Sequence, residues 1–341
     1  MNELSSILKV WWDDRPGCAT SMLATVVHVV GSAYRRPGAR MLILPDGRRL
    51  GTISGGCLEG DVARKASRWT SNTGKALRVF DNTTEDAAWE FGLGCNGVIS
   101  VLLERLENGQ VGAMLDFLDA RQAAKQPAVV ATVIRCANEH DCEVGDRLLC
   151  DAEGSVGGAL DGSDLETDLS PAIQAAFRDR THRLVNLSSM EIFVEWVGAP
   201  QRLVIVGSGH DVMHLVSIAN LMGWSVTVAD RPSAYVQPNR FPGAAKVIAL
   251  PASGGIDALE IDTETAVVVM THNFPQDRLL LPHLLRKRPR YLGLLGPKSR
   301  AENLFLENGE DLRQWDVHAP IELDIGSDHP QTVALSIVSE I

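Results

Sequence analysis

The run Arg202-Leu203-Val204-Ile205-Val206-Gly207-Ser208-Gly209-His210-Asp211-Val212 decides the reading of the C-terminal half. Five strand-forming residues end in Gly-Ser-Gly, and a helix carrying Leu215, Ile218, Ala219 and Met222 follows. That order, strand then glycine turn then helix, is the context of a dinucleotide-binding loop, whose glycines let the backbone approach a pyrophosphate. The next strand, Ser225 to Ala229, ends at Asp230, where a carboxylate can hold ribose hydroxyls. Further buried-strand runs are Lys246 to Leu250, Ala266 to Met270 and Tyr291 to Leu295, with helical segments near 276–288 and 298–308. Alternating strands and helices predict a Rossmann-like, doubly wound parallel sheet. Gly207, Gly209, His210 and Asp230 are its candidate cofactor-binding residues, and NAD(P) or another nucleotide is the candidate ligand. Val212 stands where a small residue would ease helix–sheet packing. His272 follows a strand and is a candidate either for the sheet's carboxyl edge or for a helix cap.

Upstream of Gly198-Ala199-Pro200 the pattern changes, which places the domains at 1–198 and 199–341. Leu4, Ile7, Leu8 and Trp11 predict a helix over 2–13, ending at Arg15-Pro16-Gly17. Strands are expected over Met22 to Val30, Arg40 to Leu44, Arg48 to Ile53, Leu77 to Phe80 and Val98 to Leu103. A helix marked by Leu58, Val62, Ala66 and Trp69 lies between the third and fourth of these. Residues 127–197 read as a decayed second copy. Ala24-Thr25-Val26-Val27 returns as Ala131-Thr132-Val133-Ile134, and Gly38-Ala39-Arg40-Met41-Leu42 as Gly145-Asp146-Arg147-Leu148-Leu149. The fold class is therefore α/β, an N-terminal α+β domain with an internal duplication followed by the Rossmann-like sheet. Because Arg40 is matched by Arg147, it is expected to be a structural turn residue. Gly55-Gly56-Cys57-Leu58-Glu59 has no evident counterpart, so the chemistry is expected in the first copy.

In that first copy Ser54-Gly55-Gly56-Cys57-Leu58-Glu59 opens a helix. Paired glycines can turn successive N–H groups into an anion-binding concavity beside the positive helix end. A cysteine there is a candidate nucleophile, persulfide carrier or metal ligand, against the alternative of a buried thiol in a tight turn. Gly92-Leu93-Gly94-Cys95-Asn96-Gly97 offers a second such cysteine, so Cys57 and Cys95 are candidates to share a soft metal centre or relay sulfur. In Tyr34-Arg35-Arg36-Pro37-Gly38, two guanidinium groups suit a phosphate. His28 is expected to be a packed or edge histidine.

Bulk properties narrow the function classes. A formal net charge of −11 over 341 residues argues against non-specific nucleic-acid binding. No run approaches the length of a membrane span, the start lacks a signal-peptide pattern, and the six cysteines form no CxxC pair. A cytoplasmic protein is expected.

Taken together, these motifs resemble the XdhC/CoxI family of xanthine and carbon monoxide dehydrogenase accessory proteins. The resemblance rests on Gly31-Ser32, Pro37-Gly38-Ala39-Arg40-Met41, Gly55-Gly56-Cys57-Leu58-Glu59 and Gly92-Leu93-Gly94-Cys95. In the C-terminal half it rests on Val204 to His210, Thr271-His272, Tyr291 to Gly296, and the tail His318-Ala319-Pro320-Ile321-Glu322-Leu323-Asp324-Ile325-Gly326. It implies a non-enzymatic maturation chaperone that binds molybdenum cofactor (molybdopterin) while a cysteine desulfurase supplies the sulfido ligand. The cofactor would then pass to an apo-molybdenum hydroxylase of the xanthine or CO dehydrogenase type. On this resemblance Cys57 and Cys95 lie near the molybdenum or incoming sulfur, Gly55, Gly56 and Arg36 near the pterin phosphate, and Glu59 is a further candidate cofactor-binding residue. A homodimer is expected as the commonest assembly. Three positions depart from the family pattern: Val212, Glu322 in place of a tail glycine, and Asn273-Phe274-Pro275 after Thr271-His272. The competing readings are an NAD-dependent oxidoreductase and a cysteine-persulfide sulfurtransferase. The missing acid–base pair for hydride transfer counts against the first.

Overall fold

The computed structural model describes residues 3–18, 20–56, 58–81, 83, 97–107, 109–137, 142–187, 190–251, 253 and 255–341. The chain divides into two compact units, one spanning Glu3–Ala199 and the other Pro200–Ile341.

The N-terminal unit is built twice over. Helix α1 (Glu3–Asp13) is followed by a short turn of helix, α2 (Arg15–Cys18), so the chain does not leave helix at Arg15-Pro16-Gly17. Strands β1 (Met22–Gly31), β2 (Arg40–Ile43), β3 (Arg49–Gly51), β4 (Lys75–Asp81) and β5 (Gly97–Arg105) form one sheet in the order β3-β2-β1-β5-β4. Helix α3 (Glu59–Trp69) joins β3 to β4. Then α4 (Gly109–Ala123) leads into β6 (Ala128–Cys136), β7 (Arg147–Asp151), β8 (Gly154–Gly157), α5 (Asp164–Asp179), β9 (Arg183–Leu187) and β10 (Met190–Val197). This second sheet has the order β8-β7-β6-β10-β9, the first sheet's order repeated.

Helix α4 has no sequence expectation behind it, yet it is the copy of α1. Buried Val111, Met114, Leu115 and Leu118 repeat the spacing of Leu4, Ile7, Leu8 and Trp11. The two helices share one apolar layer with Leu23, Leu42 and Leu44 of the first copy and Val130, Leu149 and Val197 of the second. Helix α3 covers the other face of the first sheet through Leu58, Val62 and Ala66. Helix α5 does the same for the second sheet through Leu169, Ile173 and Ala176.

The two copies are bolted by reciprocal buried ion pairs. Arg40 on β2 reaches Glu195 on β10, with Nη1–Oε1 at 2.8 Å and Nη2–Oε2 at 2.5 Å. Arg147 on β7 reaches Glu104 on β5. Leu23 pairs with Glu104 as Val130 pairs with Glu195, so the carboxylates are equivalent, as are the arginines. Each arginine also donates to the carbonyl two residues back, Gly38 or Gly145, at 3.1 and 2.8 Å. Both glycines have positive φ, and a Cβ on either would sit 3.0 Å from the paired carboxylate. Arg40 is thus an inter-copy anchor, not merely a turn residue.

In the C-terminal unit β11 (Arg202–Val206), β12 (Ser225–Asp230), β13 (Lys246–Ala249), β14 (Thr265–Val269) and β15 (Tyr291–Leu294) form an all-parallel sheet. Its order is β13-β12-β11-β14-β15, the arrangement expected of a Rossmann-like unit. Helices α6 (His210–Leu221), α7 (Phe274–Lys287), α8 (Lys298–Glu307) and α9 (Pro330–Glu340) complete it. One face of the sheet packs with Leu280, Leu284, Leu304 and Phe305 of α7 and α8, the other with Leu215, Ala219 and Ile337 of α6 and α9. Val212 is fully buried among Leu203, Ile205 and Val228, so the bulkier residue is absorbed as core.

The tail keeps a glycine conformation without a glycine. Glu322 sits at φ 139°, and its amide donates to Glu340 Oε2 at 2.9 Å. Burial, with the charges of Asp324 and Glu340, pushes the Glu322 carboxyl above its ordinary value.

Breaking one cross-copy pair leaves a buried charge uncompensated. Arg40→Met or Glu195→Gln alone is expected to cost about 3–5 kcal/mol in urea unfolding, and Arg40→Met/Glu195→Leu together markedly less. Glu322→Gly is expected to raise the Tm at pH 7 by releasing about 1 kcal/mol or more of backbone strain, measured by calorimetry.

Candidate functional site

Three segments meet at one end of the first sheet. Gly31, the last residue of β1, pairs in register with Gly97, the first of β5. A Cβ on Gly97 would fall 2.3 Å from the Ser32 carbonyl oxygen, so the chain can pass there only as glycine. Beyond Ser32 the loop carries Tyr34, whose exposed ring lies against Gly55, 3.5 Å from where a Cβ on that glycine would be. Arg35 is pinned by Glu3 and by Thr52 Oγ1, at 3.0 Å from the latter. Arg36 is exposed and has no ion pair among the described residues. The two guanidinium groups therefore divide their work: Arg35 holds the loop, and Arg36 faces solvent.

The Gly55-Gly56 turn is braced from inside. Glu59 is only 4% exposed. Its Oε1 accepts from the Ile53 and Ser54 amides at 3.1 and 2.7 Å, and its Oε2 from the Ser54 hydroxyl at 2.6 Å. The same hydroxyl oxygen accepts from the amides of Gly56 and Leu58, at 3.3 and 3.2 Å. Burial pushes the Glu59 carboxyl up, but these hydrogen bonds outweigh it and hold it below its ordinary value.

This arrangement corrects one expectation. The N–H groups of Gly56 and Leu58 close on Ser54 instead of opening toward an anion, and Glu59 with Asp61 already places negative charge in the first turn of α3. Glu59 acts on the loop, with its oxygens already taken. The second copy carries the same brace, since Glu166 Oε2 accepts from the Gly162 amide at 2.8 Å. What lacks a counterpart is narrower than the whole glycine-cysteine run: it is the cysteine and the glycine beside it. Cys57 and Cys95 lie outside the described residues. Their described neighbours are fixed, Gly56 and Leu58 by Ser54, and Gly97 by its seat on Ser32.

In the C-terminal unit the glycine loop is equally built. Gly207, at φ 141°, is so close to Met270 that a Cβ would lie 2.3 Å from its carbonyl oxygen. A Cβ on Gly209 would strike Asp211 Oδ1 at 2.4 Å. Asp230 stands at the end of β12, but its carboxylate is engaged: Ser208 Oγ donates at 2.6 Å, Gln276 Nε2 at 2.8 Å, and the Arg231 amide at 2.8 Å. Arg240 donates to the Ser208 carbonyl at 3.3 Å and stacks 4.6 Å from the Tyr235 ring. His272, with φ 53°, contacts Asp211 at 2.8 Å and so reaches the glycine loop from the carboxyl end of β14. His210 stands edge-on to His214, 5.3 Å between ring centroids. His28 lies on β1 beside a register shift and pairs with Ser100.

Sequence reasoning passes over Ser54, Tyr34, Ser208 and Gln276. Ser54 five residues ahead of Glu59 is a usable signal for the brace. Gln276, on the helix after β14, is far from Asp230 in the chain and gives none. Among the described residues no group of three or more His, Cys, Asp or Glu is placed to hold a metal ion. No helix among them is long and apolar enough to cross a membrane.

Comparison with known proteins bears on both units. The family model described as the XdhC and CoxI family matches residues 19–81 and 121–188, and that of the XdhC Rossmann domain matches 203–341. A Bacillus subtilis protein named as a probable xanthine dehydrogenase subunit is 30% identical over 324 residues, covering 94% of this chain and 92% of its own length. The Escherichia coli protein named molybdenum cofactor insertion chaperone PaoD is 23% identical, with 94% of this chain and 82% of that one covered. A solved structure described as a xanthine dehydrogenase from Bacillus halodurans superposes with a TM-score of 0.82 at 27% identity, over 100% of this chain and 94% of the other.

Removing the brace tests the loop directly. Glu59→Gln is expected to lower stability at pH 7 by about 1–3 kcal/mol, because it points an amide donor at amide donors. Since the native carboxyl titrates below its ordinary value, its contribution is full above the unfolded-state pKa. It is lost as pH falls through the folded-state pKa. The gap between wild type and variant in thermal unfolding should therefore narrow on acidification.

Proposed function

Because this chain belongs to the XdhC and CoxI family, we propose that it is an accessory protein that binds molybdenum cofactor and delivers it to a molybdenum hydroxylase. The support from relatives is that one covering nearly the whole chain is named a molybdenum cofactor insertion chaperone. The observation that carries the reading in this chain is the exposed Tyr34 ring resting on Gly55, in a loop whose Arg36, two residues on, is exposed and without an ion pair among the described residues. An exposed aromatic face and an exposed guanidinium in one loop suit a planar, phosphate-bearing ligand such as a pterin.

In this reading the cofactor is cargo. A Cβ on Gly55 would meet the Tyr34 ring at an ordinary contact distance of 3.5 Å, and one on Gly56 would meet nothing within 4 Å among the described residues. Arg36 takes the pterin phosphate as a bidentate partner. Glu59 and Ser54 keep the turn in shape while cargo enters and leaves. Cys57 follows Gly56 directly, and Cys95 precedes Gly97 by two positions. Both are proposed to lie near the metal, where one thiolate would take the outer sulfur of a cysteine desulfurase's persulfide by exchange, the desulfurase thiol leaving. A homodimer in the cytoplasm completes the proposal. NAD(P) or another nucleotide bound at Gly207–Gly209 would have to displace Ser208 or Gln276 from Asp230 before its ribose could be held there.

The protein purified from molybdenum-replete cells is expected to release a fluorescent oxidised pterin together with molybdenum. Arg36→Ala should weaken cofactor retention about tenfold, the worth of one charge-assisted phosphate contact. Cys57→Ala should bind cofactor yet fail to activate an apo-dehydrogenase, with thermal unfolding unchanged. Neither pterin nor molybdenum on the wild-type protein, together with tight NAD(H) binding and turnover, would sink the proposal in favour of an oxidoreductase.

A further inference from the structure

We propose that Cys136, Cys142 and Met190 form a second metal site, selective for a soft monovalent ion such as Cu(I). It lies in the second copy of the N-terminal unit and does not depend on the Gly55-Gly56 loop.

The last residue of β6 is Cys136, and its register partner across the sheet is Met190, the first residue of β10. Side chains of such a pair stand roughly 5 Å apart on one face of the sheet. The chain then returns at Cys142, whose Sγ lies 3.1 Å from Met190 Sδ. Met190 thus neighbours both cysteines, Cys136 across the sheet and Cys142 at its sulfur. Neither cysteine is in a disulfide. Both cysteines line a cleft of about 600 Å³, together with Thr73, Lys75, Leu77 and Glu143, through which they can be reached from solvent.

The donor set chooses the ion. Two thiolates and a thioether are soft ligands that favour Cu(I) over hard or borderline cations. Zinc wants four nitrogen, sulfur or carboxylate donors. Among the described residues the carboxylate lining this cleft, Glu143, is already held by Lys75 at 2.7 Å. Cys150 is no substitute, because burial and the charges of Glu166, Asp151 and Asp161 push its thiol up to about 12. Binding forms metal–sulfur bonds to all three residues and releases two thiol protons to solvent, with no change in oxidation state. The flexible, unbranched Met190 can swing its sulfur toward the ion.

The test uses reduced full-length protein under anaerobic conditions, with Cu(I) supplied as its coloured bicinchoninate complex. Wild-type protein is expected to withdraw one equivalent, and X-ray absorption should show a shell of sulfur alone. Cys57→Ser/Cys95→Ser should keep that equivalent, and Cys136→Ser/Cys142→Ser should lose it. Met190→Leu, which conserves volume, should keep the fold by circular dichroism and bind about tenfold more weakly. It decides the matter should the double cysteine variant fail to fold. Retention of the equivalent by Cys136→Ser/Cys142→Ser, wild-type affinity in Met190→Leu, or nitrogen or oxygen in the shell would each overturn the site.

Discussion

The N-terminal unit depends on one constraint: a buried arginine in each copy must find a carboxylate that only the opposite copy supplies. Arg40 and Arg147 each extend from the second strand of a sheet and end on Glu195 and Glu104. None of the four side chains is more than 6% exposed, so the pairing must form as the copies dock. Taking such charges out of water is costly, and the low-dielectric interior repays it only with good geometry. Here the geometry is enforced twice, by the backbone carbonyl each arginine also meets and by glycines that leave room for the carboxylate. A half-docked or register-shifted arrangement would strand ions, which makes the pairs a device of specificity more than of stability. Apolar contacts of Val27 and Leu102 with Ile134 and Phe193 fill in around them.

Much of this is legible in the chain. The glycine-arginine echo at Gly38–Arg40 and Gly145–Arg147 marks the duplication, and hydrophobic alternation marks its strands. The parallel sheet follows from strands regularly interleaved with helices, and from Gly207-Ser208-Gly209 at its first turn. The front of the duplication is harder to see. Helix α4 escapes notice because Ala113, Phe117 and Ala120 spread apolar character around it, blurring the period that betrays α1. Arg40 is recognisable as structural, but its partner is 155 residues away, and no local pattern announces a charge pair across two copies. Glu322 is the converse case. That it replaces a glycine can be read from sequence, whereas the persistence of φ 139° cannot, because the hydrogen bond to Glu340 comes from the far end of α9.

The candidate site shows how duplication and function separate. Both copies hold the turn after their third strand with a glutamate, Glu59 in one and Glu166 in the other, so the brace belongs to the shared scaffold. The copies part where the ligand-facing groups stand. The first joins β4 to β5 through residues 82–96, a run containing Cys95, while the second passes from β9 to β10 through 188–189 alone. The first has Arg36 ahead of its paired arginine, where the second has Glu143, tied to Lys75. The charge at this position is reversed between the copies while the fold around it is kept. Specialisation has been confined to loops at strand ends, where side chains can change without disturbing the buried pairs.

That separation bears on how such a protein could carry cargo without consuming it. An anion-binding turn usually leaves its N–H groups open, and the ligand then completes the loop. Here Ser54 and Glu59 complete the loop beforehand, so its shape does not wait on a ligand. Asp230 repeats the theme in the other unit, its oxygens filled by Ser208, Gln276 and its own chain. On the proposed reading, a site finished in advance would bind through what projects from it, here Tyr34 and Arg36, and would give up little structure when its ligand departs. An enzyme gains from a loop that tightens on the transition state. A carrier gains from one whose conformation is indifferent to loading, because release then costs only the contacts made by the exposed side chains.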